Sequence, residues 1–329
     1  ALDSLEFSRE SLAPGPAPRT RPTIRRFTIL SRMPIDDVVL QFSPTSLFIL
    51  NCILGLVLFG IALDLRVSDF KRIAAMPRAV VAGMLGQLIL LPALTAGLVV
   101  IVQPPPSIAL GMILVASCPG GNISNFMTWL GKGNAALSVT LTSIATVAAI
   151  VMTPINFQVY GGLLESTRPL MDTIRVPLPK VIITVFLLIG VPLSIGMFIA
   201  HRFPQVAGRL KKPMKIFSLV FFGGFIIVAI FGNAKPIWPY MDRIFLLVLA
   251  HNALAFLLGY GVASAFGNRG ADRRAITLEV GLQNSGLGLF LIFNFFNGIG
   301  GMAMVAALWG IWHLLSGGAL AFVWSKRPV

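Results

Sequence analysis

The chain has 329 residues, of which 56% are hydrophobic and only 12% charged, and its mean hydropathy is +0.85. Soluble domains of this size carry about 25% charged residues, so the composition excludes a soluble globular protein and indicates a polytopic membrane protein. The net charge of +14 does not indicate nucleic-acid binding, because the basic residues form short clusters between apolar runs. Cys52 and Cys118 both lie in apolar segments, where they offer neither a disulfide framework nor a metal spacing.

Residues 1–42 differ from the rest of the chain. Four prolines between Pro14 and Pro22 alternate with arginines, and no apolar run reaches the length of a membrane span. The segment also lacks the apolar core of a signal peptide. We therefore predict a mobile, basic and proline-rich tail, followed by a transmembrane domain at 43–329.

Nine apolar segments of spanning length follow the tail, which predicts an all-α fold with about nine transmembrane helices. The segments are approximately 44–64, 79–102, 108–131, 134–157, 180–200, 216–233, 243–266, 275–297 and 301–324.

The charges of the connecting segments predict the orientation. Fifteen Lys and Arg residues lie in the connectors after the first, third, fifth and seventh segments and at the end of the chain, against five in the connectors of the other side. Positively charged connectors remain in the cytoplasm, so we expect a cytoplasmic C-terminus and an outside N-terminus. The six arginines of the tail oppose this orientation.

Two of the apolar segments are interrupted by polar and flexible residues. The first interruption, Cys118-Pro119-Gly120-Gly121-Asn122-Ile123-Ser124-Asn125, contains helix-breaking residues followed by amides and hydroxyls. The second, Glu279-Val280-Gly281-Leu282-Gln283-Asn284-Ser285-Gly286-Leu287, places a carboxylate in an apolar span that contains no Lys or Arg. An ionisable side chain at mid-membrane costs about 2.5–3.5 kcal/mol, so Glu279 is expected to face a cavity, a partner or an ion.

Each interrupted segment is followed directly by an apolar span with scattered polar residues. This recurrence predicts two inverted repeats, at about 44–160 and about 180–325, with the first repeat one helix short. Paired Gly- and Pro-interrupted spans are typical of secondary transporters, whose binding sites lie between the interruptions at the membrane midplane.

These residues carry a family resemblance. The two interruptions, together with Gly86-Gln87, Gly133-Asn134-Ala135-Ala136-Leu137-Ser138 and Trp312-His313, resemble the motifs of the bile acid:sodium symporter family from about residue 44 to the end. The resemblance implies a core domain with two unwound crossing helices, a panel domain beside it, and transport by alternating access.

The resemblance also implies two sodium sites that share Glu279. One would use Ser124, Asn125, Ser138, Thr142 and Glu279. The other would use Gln87, Gln283, Glu279 and the backbone carbonyls of Val280 and Leu282. Hard cations prefer several oxygen ligands, and an unwound helix supplies free carbonyls.

The substrate expected beside the crossing is an organic anion: bile acid-like, a steroid conjugate or a small carboxylate. Its expected contacts are Asn122, Asn284 and His313. Asn122-Ile123 replaces the Thr-Ala that is usual in the family, which changes the lining of the substrate site.

Other functions fit the residues less well. An enzyme is disfavoured because Glu279 has no second buried carboxylate and no His-Glu-x-x-His motif is present. A channel is disfavoured because the polar residues concentrate at one crossing. The alternative that we retain is a proton-coupled organic anion carrier with Glu279 as the proton site. Ser138 and Thr142 have the structural alternative of bonding to their own helix, and His251 and Asn252 are interpreted as structural.

Overall fold

A computed structural model describes residues 34–37, 52–53, 55–60, 62–63, 72–174, 177–232 and 240–328. Regular structure in these ranges is helical, and the only extended pairing within them is one isolated bridge between two loops. The predicted all-α class is therefore confirmed. The helices are α1 (Pro77–Val102), α2 (Pro106–Ser117), α3 (Ile123–Leu130), α4 (Ala135–Leu163) and α5 (Arg168–Thr173), then α6 (residues 178–202), α7 (Pro204–Gly232), α8 (Met241–Ala265), α9 (Gly270–Gly281), α10 (Ser285–Phe295) and α11 (Gly300–Ser325).

Four helices in the described ranges are long and apolar enough to cross a membrane, namely α1, α4, α8 and α11. They match the predicted spans at 79–102, 134–157, 243–266 and 301–324, although α4 continues to Leu163. Of the predicted span at 44–64, the structure describes only residues 52–53, 55–60 and 62–63, so the total of nine remains a prediction.

The two interrupted segments form pairs of shorter helices. Pro119 disfavours a helical conformation at Cys118, whose ψ of 157° is extended, and α2 ends there. The chain resumes helical structure in α3 at Ile123. In the second pair, α9 ends at Gly281, and Asn284 begins α10 because its side-chain oxygen accepts a hydrogen bond from the Leu287 amide at 3.0 Å.

The two interruptions meet in space. Gly120 and Gln283 form an antiparallel bridge. The Gly121 amide donates to the Leu282 carbonyl at 3.0 Å, and the Asn284 amide donates to the Pro119 carbonyl at 2.8 Å. Backbone groups that lack a partner within their own helix are thus paired with each other, as an apolar interior requires.

The order of a long helix, a broken helix and a second long helix occurs twice, as α1 to α4 and as α8 to α11. This order agrees with the two predicted repeats. The inverted relation between the repeats stays a prediction, as do the domain boundaries at 1–42 and 43–329. Within the predicted tail, Pro34–Asp37 is a short 3-10 turn. Its Ile35 is buried, and Asp36 accepts a hydrogen bond from the Ser107 amide at the start of α2 at 2.8 Å.

Candidate functional site

Glu279 lies at the centre of the crossing and is fully buried. Its Oε2 accepts hydrogen bonds from the Ser124 hydroxyl at 2.6 Å and the Ser138 hydroxyl at 3.3 Å. Its Oε1 accepts one from the Thr142 hydroxyl at 2.7 Å. The carboxylate of α9 is therefore surrounded by hydroxyls from α3 and α4, and all the hydrogen bonds described for it come from neutral groups.

Asn125 completes this cluster by contacting the two hydroxyls of α4. Its Oδ1 lies 2.8 Å from the Ser138 hydroxyl and 3.2 Å from the Thr142 hydroxyl. Ser138 and Thr142 are one turn apart on α4, so both hydroxyls lie on one face of that helix. Thr142 also bonds to the Ser138 carbonyl at 3.0 Å, so its bond within the helix accompanies the contact with Glu279.

The cluster contains more oxygen atoms than protons. Two carboxylate oxygens, the Asn125 amide oxygen and three hydroxyl oxygens share the three hydroxyl protons. A buried carboxylate with no cationic partner is strongly unfavourable, so the cluster needs either a proton or a cation to balance its charge. Four of its six oxygens belong to an amide or to hydroxyls, which do not titrate near neutral pH, and this suits a hard cation better than a proton.

Gln87 reaches the same carboxylate region from α1. It lies in a π-helical segment, Gly86–Leu90, where the Leu91 amide bonds to the Gly86 carbonyl five residues earlier. Pro92 lacks an amide hydrogen and so leaves this turn one donor short. The Asn156 side chain of α4 supplies a donor, bonding to the Leu88 carbonyl at 2.7 Å. The Gln87 amide nitrogen donates to the Glu279 backbone carbonyl at 3.3 Å.

Two buried side-chain oxygens in this region accept no hydrogen bond. They are Oε1 of Gln87 and Oε1 of Gln283, whose residues are 0% and 1% exposed. Buried acceptors without a donor are rare and costly, and they are the groups that a bound cation would satisfy. The two glutamines therefore fit the second predicted cation site.

The carbonyls predicted for the second site each accept one hydrogen bond already. Val280 O accepts from the Gln283 amide nitrogen at 2.8 Å, and Leu282 O accepts from the Gly121 amide at 3.0 Å. A carbonyl oxygen has two lone pairs, so each retains one for a further ligand.

Gly120 provides the close approach between the two interruptions. A Cβ at this position would collide with Oε1 of Glu279 and would lie 2.8 Å from the Gln87 amide nitrogen. Only glycine therefore leaves room for the carboxylate and the glutamine together.

The three residues predicted to contact substrate lie on different parts of the structure. Asn122 is half-buried at the first interruption, where it does not cap α3 with its side chain, whereas Asn284 caps α10. His313 is buried on α11, and its Nδ1 lies 2.5 Å from the Trp309 carbonyl. It is one turn from Gly317, which packs against the Leu282 side chain. Asn122 and Asn284 thus belong to the crossing itself, and His313 lies on the helix beside it.

At the ends of the broken helices lie two side chains, of which sequence reasoning did not name Thr153 and interpreted Asn252 only as structural. The Thr153 hydroxyl of α4 donates to the carbonyl of Ser117, the last residue of α2, at 2.7 Å. The Asn252 side chain of α8 donates to the carbonyl of Gly281, the last residue of α9, at 2.8 Å. The only signal in the sequence was a polar residue in the middle of an apolar span, which is not specific.

The chain matches the model of the Sodium Bile acid symporter family over residues 51–238. This match includes Gln87 and the hydroxyl cluster of α3 and α4 but ends before Glu279. The "Uncharacterized sodium-dependent transporter YocS" of Bacillus subtilis (strain 168) is 32% identical over 294 residues, which are 88% of this chain and 88% of that protein.

Two relatives from other kingdoms are longer proteins. The "Probable sodium/metabolite cotransporter BASS1, chloroplastic" of Arabidopsis thaliana is 29% identical over 83% of this chain and 66% of its own length. The human "P3 protein" is 29% identical over 71% of this chain and 48% of its own length.

The broken helices and their buried oxygen cluster define a membrane transporter. With the match over more than half of its length, the chain belongs to the sodium bile acid symporter family. It is a multi-pass integral membrane protein of a family of sodium-dependent transporters.

Proposed function

We propose that the protein is a secondary transporter that couples the entry of sodium to that of an organic anion. The observation that supports this most directly is the buried Glu279 carboxylate, which contacts three hydroxyls and no cation among the described residues. The two glutamine oxygens without donors provide a second place for a cation beside it.

In this proposal, one sodium ion binds Ser124, Asn125, Ser138, Thr142 and Glu279. The second binds Gln87, Gln283, Glu279 and the carbonyls of Val280 and Leu282. Two cations around one carboxylate leave a net positive charge at the crossing, which favours an anion nearby. Asn122, Asn284 and His313 are the proposed substrate contacts.

The ligands come from four helices, α1, α3, α4 and α9, and from the loop that follows α9, so sodium would join elements that are far apart in the chain. Glu279 and Gln283 belong to the second interruption, and Ser124 and Asn125 end the first. Sodium binding would hold both interruptions in one arrangement, and alternating access of the core against the panel helices would then carry both solutes.

The test is uptake into proteoliposomes under an inward sodium gradient, an inward potassium gradient or an inward proton gradient. Radiolabelled taurocholate, estrone sulfate and pyruvate represent the three proposed classes of anion. We expect uptake of at least one anion above equilibrium only with the sodium gradient. Uptake driven by the proton gradient alone would instead support the proton-coupled alternative with Glu279 as the proton site.

A further inference from the structure

The broken helices leave specific carbonyls without their usual donors. In a continuous helix, the carbonyl of Ser117 would accept from the amide of Gly121, four residues later. That amide instead donates to Leu282 across the crossing, at 3.0 Å. The carbonyl of Gly281 would likewise accept from the amide of Ser285, which instead donates to the Gln283 carbonyl at 3.0 Å.

The carbonyls of Ser117 and Gly281, which lack their usual amide donors, each accept a hydrogen bond from a side chain of another helix. Thr153, 0% exposed on α4, caps Ser117 at 2.7 Å. Asn252, 0% exposed on α8, caps Gly281 at 2.8 Å. The last carbonyl of α2 and that of α9 are therefore each satisfied by one buried donor from a long neighbouring helix.

The cap at Gly281 is itself held in place. The hydroxyl of Ser316, on α11, donates to Oδ1 of Asn252 at 2.6 Å, which fixes the amide so that its nitrogen faces Gly281. The cap at Ser117 needs no such partner, because a threonine has a single hydroxyl and few rotamers.

We infer that Thr153 and Asn252 are positioning residues that hold the two half-helix ends in their unwound form and thereby set the affinity of the cation sites. The inference rests on the proposed sodium-coupled function. Gly281 lies between Val280 and Leu282, whose carbonyls are proposed ligands, so its cap fixes their direction. Without its cap, the carbonyl of Ser117 or Gly281 would compete for the amide of Gly121 or Ser285, whose present hydrogen bonds hold the crossing together.

The test uses Thr153→Val and Asn252→Leu, which keep the shape of each side chain but remove its donor. The protein is purified in detergent, and its Tm is titrated with sodium at constant ionic strength against potassium. We expect each variant to raise the half-saturating sodium concentration about ten-fold, which corresponds to about 1.4 kcal/mol. Thr153→Ser keeps a hydroxyl and is expected to restore the affinity.

Thr140→Val on α4 is the matched control. Among the described residues, the Thr140 hydroxyl bonds only to the Ala136 carbonyl of its own helix, at 2.9 Å, and its side chain lies about 200° around the helix from Ser138. Its half-saturating sodium concentration is expected to equal that of the wild type. Ser316→Ala removes the hydroxyl partner of Asn252, together with its bonds to carbonyls of α11, and leaves Asn252 itself in place; it provides a milder second variant if Asn252→Leu does not fold.

The outcomes separate this inference from the proposed function. A wild type whose Tm does not respond to sodium contradicts the proposed function before any variant is measured. The positioning role is overturned if the wild type responds to sodium but the variants keep its half-saturating sodium concentration. In that case a lower Tm in potassium for Thr153→Val, Asn252→Leu or Ser316→Ala would show that the caps are purely structural.

Discussion

At the scale of single residues, the carboxylate of Glu279 determines the chemistry of the crossing. It is fully buried, its described partners are the hydroxyls of Ser124, Ser138 and Thr142, and Gln87 contacts its backbone carbonyl. Neutral donors lower the free energy of a buried charge only in part, so a cation at this point would bind with a large electrostatic gain.

Glu279→Gln is expected to abolish the sodium-dependent rise in Tm of the purified protein. The substitution keeps the size of the side chain but removes the charge that both cation sites share. In the wild type, each site should contribute about 2.7 kcal/mol of stability at a sodium concentration of 100 times its Kd, and neither site should contribute in the variant. Glu165→Gln, the same change at an exposed position, is the control and should respond like the wild type. A full sodium response in Glu279→Gln would rule out the shared carboxylate.

Gly120→Ala is expected to weaken sodium binding because the added methyl group would collide with Oε1 of Glu279. We expect at least a ten-fold higher half-saturating sodium concentration in the thermal titration. Gly97→Ala is the matched control, since a Cβ at Gly97 meets no atom within 4 Å. That control should be stabilised slightly, because alanine is favoured over glycine inside a helix by about 0.5–1 kcal/mol. Equal sodium affinities in the two variants would argue against a carboxylate held close to Gly120.

At the scale of elements, the N-terminus of α4 is joined to that of α9. Asn134 caps α4 by accepting from the Leu137 amide at 3.0 Å, and its amide nitrogen donates to Asp272 at 2.8 Å. Its backbone amide also donates to the Ala271 carbonyl at 2.9 Å. Since α4 carries Ser138 and Thr142 and α9 carries Glu279, this junction aligns the two helices that form the hydroxyl cluster.

Asn134→Ala is expected to destabilise the protein by about 1 kcal/mol through the lost cap, with a further loss from the broken contact to Asp272. Asn134→Ser restores a cap but cannot reach Asp272, so its stability should lie between the two. The measurement is the Tm in potassium, where sodium binding does not contribute. An alanine variant as stable as the wild type would show that the junction is not a source of stability.

The interruptions themselves were predictable from the sequence, because Pro119 with two glycines breaks a helix and a carboxylate in an apolar span needs a partner. The resemblance implied Ser138 and Thr142 as site residues, and their spacing of one turn predicted that both hydroxyls lie on one face of the helix. The caps at Thr153 and Asn252 were not predictable, since a hydroxyl or amide in an apolar helix most often bonds to its own helix or a neighbour. Which carbonyl it reaches depends on tertiary packing.

At the scale of the whole molecule, the two crossing interruptions bring together ligands that are far apart in the chain. The α3 and α4 cluster lies between Ser124 and Thr142, while Glu279 and Gln283 come more than 130 residues later. Backbone bonds from Gly121 to Leu282 and from Asn284 to Pro119 join the two halves. Cation binding at this crossing would therefore stabilise the contact between the halves, which is the physical requirement for coupling ion binding to a conformational change.

The proposal that two sodium ions bind around the Glu279 carboxylate predicts a stoichiometry that can be counted. The measurement is the amount of ²²Na⁺ bound per purified molecule in a scintillation proximity assay. We expect about two ions for the wild type, one for Ser138→Ala, one for Gln87→Leu and none for Glu279→Gln. Tm values in potassium establish that each variant is folded. A wild type that binds no sodium, or a Glu279→Gln variant that binds as many ions as the wild type, would contradict the account.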